Sequence, residues 1–260
     1  MPELLEVEAY RRAAAGVVGR EVAAAHTPDA WFLKGGLTAT AVLDVLGGAR
    51  IVAAERWGKL LLLPLDRGPV LGLRFGMTGR LVVDGRAPIE RLEYGPAQDR
   101  PEWVRFGLRF VDGGVLELVD PRRLGGVELD PSLDALGPEA STVTVTELRR
   151  ALGRSGAPLK AVLLDQARVA GLGNLLVDET LWRAGLDPTR PAGGLSAEEQ
   201  RRLARTVRAT VRELGRRGGS HTGDLQDRRR RGGDCPRCGE PLVRGVVGGR
   251  TTYHCGACQR

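Results

Sequence analysis

The hydrophobic rhythm of the chain changes twice. At the start, Leu4, Val7, Glu8 and Arg11 or Arg12 keep helical spacing, and Pro2 suits the first turn of such a helix. From Arg50 to about Val127 the period shortens to that of strands, with runs over Leu60 to Leu63 and Leu71 to Val83. The clearest strand alternates Val104, Phe106, Leu108 and Phe110 with Arg105, Gly107 and Arg109, then turns at Gly113-Gly114 into Val115 to Val119. This half reads as a β-sandwich or barrel with flanking helix. A Pro-, Gly- and Asp-rich connection, Asp130 to Gly137, leads to a half in which helical spacing returns. There, Thr144 with Glu147 and Ser196 with Glu199 have capping-box spacing, and the second box opens the apolar stripe Leu203, Val207, Val211 and Leu214. Between them lie a short apolar helix over Pro158 to Gln166 and a tight turn, Gly171-Leu172-Gly173-Asn174, into a helix that Gly185 and Pro188 end. Strands followed by helices make the expected fold class α+β.

A chain of 260 residues is long enough for two domains with separate cores. The formal charge of +7 suits a polyanionic partner, and ordinary surface charge explains it equally well. The opening Met1-Pro2-Glu3-Leu4-Leu5-Glu6 carries acids and no basic segment ahead of an apolar run, and no stretch reaches the roughly 18 apolar residues of a membrane span. A soluble, cytoplasmic, monomeric protein without a membrane partner is the expectation.

The 4 cysteines form two pairs, Cys235 with Cys238 and Cys255 with Cys258, each of the form Cys-x-x-Cys and all near the end of the chain. Thiolates so spaced can surround one tetrahedral ion, and a closed four-sulfur set favours a structural zinc ion over an iron–sulfur cluster. Two disulfides or free thiols are the alternative, and His254, beside a ligand, could compete for the metal. Between the pairs, Arg250 lies near the tip of a Gly-rich hairpin, where its guanidinium is either solvated or within reach of a phosphate.

Removal of Met1 would expose a secondary amine at Pro2. Such an amine can attack a sugar C1′ and form an iminium directly, an electron sink for elimination. A helix N-terminus disfavours the ammonium form, and Glu3 is close enough to move protons. Taken by themselves, Pro2 and the acids Glu3 and Glu6 read as the ordinary residues of a first helical turn.

Six motifs occur in order: Met1-Pro2-Glu3-Leu4 with Glu6-Val7-Glu8, Gly58-Lys59-Leu60, Gly76-Met77-Thr78-Gly79-Arg80-Leu81, Asp120-Pro121-Arg122-Arg123, Gly171-Leu172-Gly173-Asn174 and the cysteine pairs. Over essentially its whole length the chain resembles the formamidopyrimidine-DNA glycosylase/endonuclease VIII family. The resemblance implies an N-terminal catalytic β-sandwich with flanking helices (1–130), a linker (131–141), a helical helix–two-turns–helix DNA-binding domain (142–227) and a C-terminal zinc finger (228–260) holding one zinc ion. It also implies a bifunctional glycosylase and abasic-site lyase of base excision repair, acting on damaged double-stranded DNA through a flipped nucleotide. By resemblance Pro2 is the Schiff-base nucleophile, Glu3 the acid/base and Lys59 the hairpin lysine near the flipped nucleotide. Asn174 and Arg250, with Gly171, Gly173 and Glu6, belong to the DNA-contacting set. Met77 and Arg122 are similar to residues that fill the gap left by the flipped nucleotide, Arg122 facing the orphaned base. On the residues alone, Met77 reads as hairpin core, Arg122 as a surface ion pair, and Gly173 and Asn174 as a turn and cap.

Departures from the family pattern bear on specificity. Leu5 replaces a frequent proline, and Leu124 stands where an aromatic wedge is common. The segment from Gly219 to Cys235 is shorter than the one that caps 8-oxoguanine, which predicts an open base pocket suited to ring-opened purines, oxidised pyrimidines or a larger adduct. The Arg228 to Arg231 run is either a phosphate contact or a solvated charge cluster. The competing class is a non-catalytic protein that binds damaged DNA; an intact Pro2, Glu3 and Lys59 argues against it, because a pure binder has no use for an amine terminus.

Overall fold

The computed structural model describes residues 2–89, 92, 95, 96 and 100–260. The chain divides into two compact units between Leu133 and Asp134.

The first unit opens with helix α1 (Leu4–Ala14) and contains strand β1 (Val22–His26), helix α2 (Ala39–Leu46) and strands β2 (Glu55–Trp57), β3 (Leu60–Pro64), β4 (Val70–Arg74), β5 (Arg80–Val83), β6 (Val104–Phe110), β7 (Val115–Val119) and β8 (Gly126–Leu129). Two antiparallel four-stranded sheets result, ordered β1-β6-β7-β5 and β2-β3-β4-β8. Leu61, Leu63, Leu71 and Leu73 of one sheet share a single buried cluster with Phe106, Leu108, Phe110, Leu116 and Leu118 of the other, so the sheets form the expected sandwich. The alternation along β6 is what drives this: its Phe and Leu side chains fill the core while Arg109 stays exposed. α1 adds Val7, Tyr10 and Ala14 to the cluster and α2 adds Val42 and Leu46.

The apolar run Leu71 to Val83 is not one strand. It breaks at Gly76–Gly79, and β4 and β5 belong to different sheets. Apolar content alone could not reveal the break, because both pieces face the same core. The two glycines could: a Cβ on Gly79 would stand 2.3 Å from the Phe75 carbonyl oxygen, so the tight turn tolerates no side chain there.

The second unit holds helices α3 (Val145–Leu152), α4 (Leu159–Leu164), α5 (Asn174–Ala184) and α6 (Ala197–Arg217), then the hairpin β9 (Val243–Val247) and β10 (Arg250–His254). Both capping boxes form, on α3 through Thr144 and Glu147 and on α6 through Ser196 and Glu199. α5 ends at Gly185 in the left-handed region, φ 67°, as its position predicts. Among the described residues, no helix is long and apolar enough to cross a membrane.

Candidate nucleic-acid interface and metal centre

In the first unit Pro2 and Glu3 are buried directly ahead of α1, Glu3 as its N-cap. The Glu6 carboxylate accepts the Glu3 backbone N–H at 2.8 Å, closing a capping box over the first turn. Glu6 is itself buried, so the role its geometry gives it is to hold that turn rather than to present a charge. Leu5 packs as a buried residue of the same turn.

Lys59 lies at a hairpin tip, just ahead of the apolar run Leu60 to Leu63. It occupies the two-residue turn between β2 and β3, where Trp57 pairs with Leu60 and Gly58 takes φ 56°. That combination is the type II′ hairpin, which needs glycine at its first central position, and it leaves the Lys59 side chain half-buried at the tip. The hairpin is tied to α1: Arg56 donates to Glu8 at 3.3 Å and to the Gly58 carbonyl at 2.8 Å, while Arg11 holds Glu8 at 2.8 Å.

Met77 sits half-buried in the Gly76–Gly79 crossover between the sheets and takes no part in the core cluster. Arg122 and Leu124 are exposed on the turn between β7 and β8, with Leu124 51% accessible. The surface ion pair that is the alternative reading of Arg122 is made by its neighbour: Arg123 donates to both oxygens of Asp29 at 2.6 Å. Among the described residues, Arg122 makes no ion pair. The Arg123 guanidinium holds the Asp29 carboxyl below its ordinary range. Both turns converge on Asp120, which is fully buried and accepts hydrogen bonds from Thr78 Oγ1 at 2.6 Å and from the backbone N–H groups of Arg122, Leu124 and Gly125.

In the second unit the Gly171–Asn174 turn is braced by a residue sequence reasoning passed over. Gln166 Oε1 accepts the Gly171 N–H at 3.0 Å, and its Nε2 donates to Leu164 and Leu172 carbonyls. Gly171 needs its glycine, with φ 105°. Gly173, not Asn174, is the cap residue of α5, so the Asn174 side chain does no capping. Its Nδ2 donates to the Thr251 carbonyl at 3.1 Å, which brings the helix start to the residue beside Arg250. Asn174 Oδ1 is buried with no hydrogen-bond partner.

A buried cation supports the same place. Lys160, 0% exposed, donates to Asp178 at 2.6 Å, to Thr252 Oγ1 at 2.8 Å and to the Thr251 carbonyl at 3.2 Å. Asp178 also accepts from Arg229 at 3.0 Å. A lysine inside the apolar segment Leu159 to Leu164 was a legible signal; its partners, distant in sequence, were not. The same pairing splits the Arg228 to Arg231 run, because Arg229 is committed inward while Arg228, Arg230 and Arg231 are exposed.

The four cysteine sulfurs lie within 4.8 Å of one another, and His254 is not part of the group. Sulfur separations of 3.5 Å for Cys238 and Cys255 and 4.0 Å for Cys235 and Cys258 are too long for disulfides. They match the roughly 3.8 Å edge of a tetrahedron with 2.3 Å metal–sulfur bonds. Each pair sits in a knuckle in which the residue after the second cysteine donates back to the first cysteine's carbonyl, Gly239 at 2.9 Å and Gln259 at 3.0 Å. Trp182 Nε1 donates to Cys235 Sγ at 3.4 Å, as suits a thiolate. The donor set thus fits a thiolate-binding ion held for structure. Between the knuckles, Gly248 and Gly249 at φ 59° and 70° form the tight turn that sets Arg250, exposed, at the head of β10.

The segment from Gly219 to Cys235 folds into two short 3₁₀ turns, Ser220–Thr222 and Gln226–Arg228. Glu179 accepts the backbone N–H groups of Asp224 and Leu225, and Leu225 is buried against Trp182, Cys235 and Cys255. Its middle is therefore anchored to α5 and the finger.

Family models match both units: that of the formamidopyrimidine-DNA glycosylase N-terminal domain at residues 1–127 and that of the corresponding H2TH domain at residues 135–225. The formamidopyrimidine-DNA glycosylase of Thermus thermophilus is 37% identical over an alignment covering 100% of this chain and 98% of that one. The crystal structure of the MutM (Fpg) protein from the same organism superposes with a TM-score of 0.81 at 33% identity, covering 99% of this chain and 98% of the other. A complex of the Lactococcus lactis Fpg with DNA containing an abasic site gives a TM-score of 0.84 at 26% identity, each chain fully covered (100%). With two successive models in register, a relative matched from end to end and a corresponding fold throughout, the chain belongs to the formamidopyrimidine-DNA glycosylase family.

Proposed function

We propose that this protein is a DNA glycosylase of base excision repair that also cuts the strand, using the amine of Pro2 once Met1 is removed. The observation that carries the reading is the placement of Pro2 immediately ahead of the Glu3 cap, in a buried first turn that Glu6 holds closed. The Pro2 nitrogen lone pair forms a bond to C1′ of the damaged nucleotide as the bond from C1′ to the base breaks, and the base leaves with that electron pair and the proton that the alkylated amine gives up. Glu3 delivers a proton to the ring oxygen as the sugar opens, leaving an iminium between Pro2 and C1′. The iminium acidifies the C2′ hydrogen; its loss expels the 3′ phosphate, a second elimination expels the 5′ phosphate, and water releases the enzyme.

Lys59, at a rigid hairpin tip joined to α1, is the cation for the phosphate beside the reacting nucleotide. Met77 and Arg122 fill the vacated stack, with Arg122 reading the orphaned base. Asn174, at the positive end of α5 on the glycine turn, and Arg250 hold the backbone through phosphates. Zinc in the four-thiolate site stabilises the finger and takes no part in the reaction. Because the Gly219 to Cys235 segment is short and fastened to Glu179, the lesion is a ring-opened purine or oxidised pyrimidine accepted at least as well as 8-oxoguanine.

The test is to incubate the processed protein with abasic-site duplex and borohydride. A covalent adduct is expected, weakened by Pro2→Gly and lost in the form that retains Met1. Absence of any adduct, with DNA binding intact, would establish the non-catalytic alternative. Cleavage of duplexes carrying each lesion then ranks the bases, and a strong preference for 8-oxoguanine opposite cytosine would overturn the open-pocket reading.

A further inference from the structure

Met77 lies on one turn and Arg122 and Leu124 on another more than forty positions later, yet one carboxylate binds both turns. Asp120 Oδ1 accepts Thr78 Oγ1 at 2.6 Å and the Arg122 N–H at 3.2 Å; Oδ2 accepts the Leu124 and Gly125 N–H groups at 2.8 Å each. The turns also meet backbone to backbone. A Cβ on Gly76 would stand 2.5 Å from the Leu124 carbonyl carbon, and Gly76 is at φ 56°. A second brace acts beside the first: Arg123, at φ 56°, turns its guanidinium onto Asp29, leaving Arg122 and Leu124 exposed on either side.

We propose that Asp120 is a positioning residue that makes these two turns one rigid insertion platform, so that Met77, Arg122 and Leu124 enter the DNA stack together as a nucleotide leaves it. The proposal rests on the function stated above and concerns extrusion, not the sugar chemistry. Side chains already ordered lose less freedom on insertion than side chains on two independently moving turns. An aliphatic Leu124 gives the stack less contact than an aromatic ring would, so joint insertion with Met77 matters more in this chain. Asp120 is buried and touches neither sugar nor base in this role; it acts through the turns it holds.

The experiment compares full-length wild type, Thr78→Val and Asp120→Asn on two duplexes, one with a ring-opened purine and one with a preformed abasic site. Thr78→Val removes one bond to the carboxylate and keeps the side-chain shape; Asp120→Asn sets an amide donor against backbone donors. Single-turnover base release should fall about tenfold in Thr78→Val, the order expected for one hydrogen bond to a charged group. Borohydride trapping and strand cleavage at the abasic site, where no base has to leave the stack, should stay near wild type. The rise in 2-aminopurine fluorescence from a probe beside the lesion should slow in parallel with base release. In a double-mutant cycle, Met77→Ala should cost less in the Thr78→Val background than in wild type. Equal losses on both duplexes, or strict additivity with Met77→Ala, would overturn the proposal. Should Asp120→Asn fail to fold, Thr78→Val decides the matter. A wild type that neither traps nor cleaves would defeat the glycosylase reading itself; an active wild type with an unchanged Thr78→Val would defeat this inference alone.

Discussion

The two units are held together by different physics where they carry their candidate sites. In the first, α1, α2 and both sheets close over a continuous apolar cluster, and buried polar groups such as Asp120 sit at its margin. Around the finger of the second, the buried apolar cluster shrinks to Trp182, Leu225, Cys235 and Cys255, beside four cysteine sulfurs placed as a ligand set and a buried chain from Lys160 through Asp178 to Arg229. Apolar burial is non-directional and tolerates exchanges of similar volume, whereas a buried ion or a ligand set fails when one partner is lost.

Metal removal should separate the units most sharply. Structural zinc contributes on the order of 10 kcal/mol to a site of this kind. Chelation, or Cys255→Ser, should therefore release β9 and β10 to rapid hydrogen exchange and abolish specific DNA binding, while β6 and β7 keep their protection. Protected β9 and β10 amides in the metal-free protein would show that packing alone sustains the finger.

The same residue introduced in each unit gives the next contrast. Lys160→Met removes one of the two cations on Asp178, leaving Arg229 and the Tyr253 N–H as its partners, and should cost about 2–3 kcal/mol in urea unfolding of the second unit. Leu63→Met, at a site of equal burial in the first core, should cost less than about 1.5 kcal/mol. Similar values for the two would erase the distinction.

The smallest effect is electrostatic and lies at the head of α6. The Arg190 guanidinium, helped by Ser196, holds the Glu199 carboxyl down at about 2, from an ordinary 4.5. Because the folded value is the lower one, the stabilisation is fully present above about 4.5 and is lost as the pH falls toward about 2. Partly exposed and screened, the pair should contribute no more than about 1 kcal/mol. Glu199→Gln should lower the denaturation midpoint at pH 6, with the gap narrowing steadily as the pH falls toward about 2, if titration is the cause; a gap that does not change with pH would assign the effect to altered hydrogen-bond geometry with Arg190 instead.

Local pattern accounted for the elements whose causes are local. The α1 start, the β6 to β7 hairpin, both capping boxes, the end of α5 at Gly185 and the cysteine knuckles each depend on residues a few positions apart, and each was legible. Where the cause was distant, reading failed or stopped short. Leu71 to Val83 looked continuous because both halves bury apolar faces, and the assignment of β4 and β5 to separate sheets depends on pairing with β3 and β7. The inward turn of Arg229 within a row of arginines depends on Asp178, and the shift of the surface ion pair from Arg122 to Arg123 depends on Asp29.

By itself the sequence determined the α+β order, the four-cysteine set that could hold one ion and the family, and it singled out Pro2, Glu3 and Lys59 as candidates. Only the tertiary structure decided how the candidate residues are supported from a distance: Glu8 and Arg56 tying the Lys59 hairpin to α1, Lys160 bracing the strand that Asn174 meets, and Asp120 joining two turns far apart in the chain. The physical reason is range. Capping, hairpin turns and metal knuckles are satisfied by neighbours along the chain, whereas a buried carboxylate or ammonium can be satisfied by whichever donor or acceptor the fold delivers, and no spacing in the sequence names that partner.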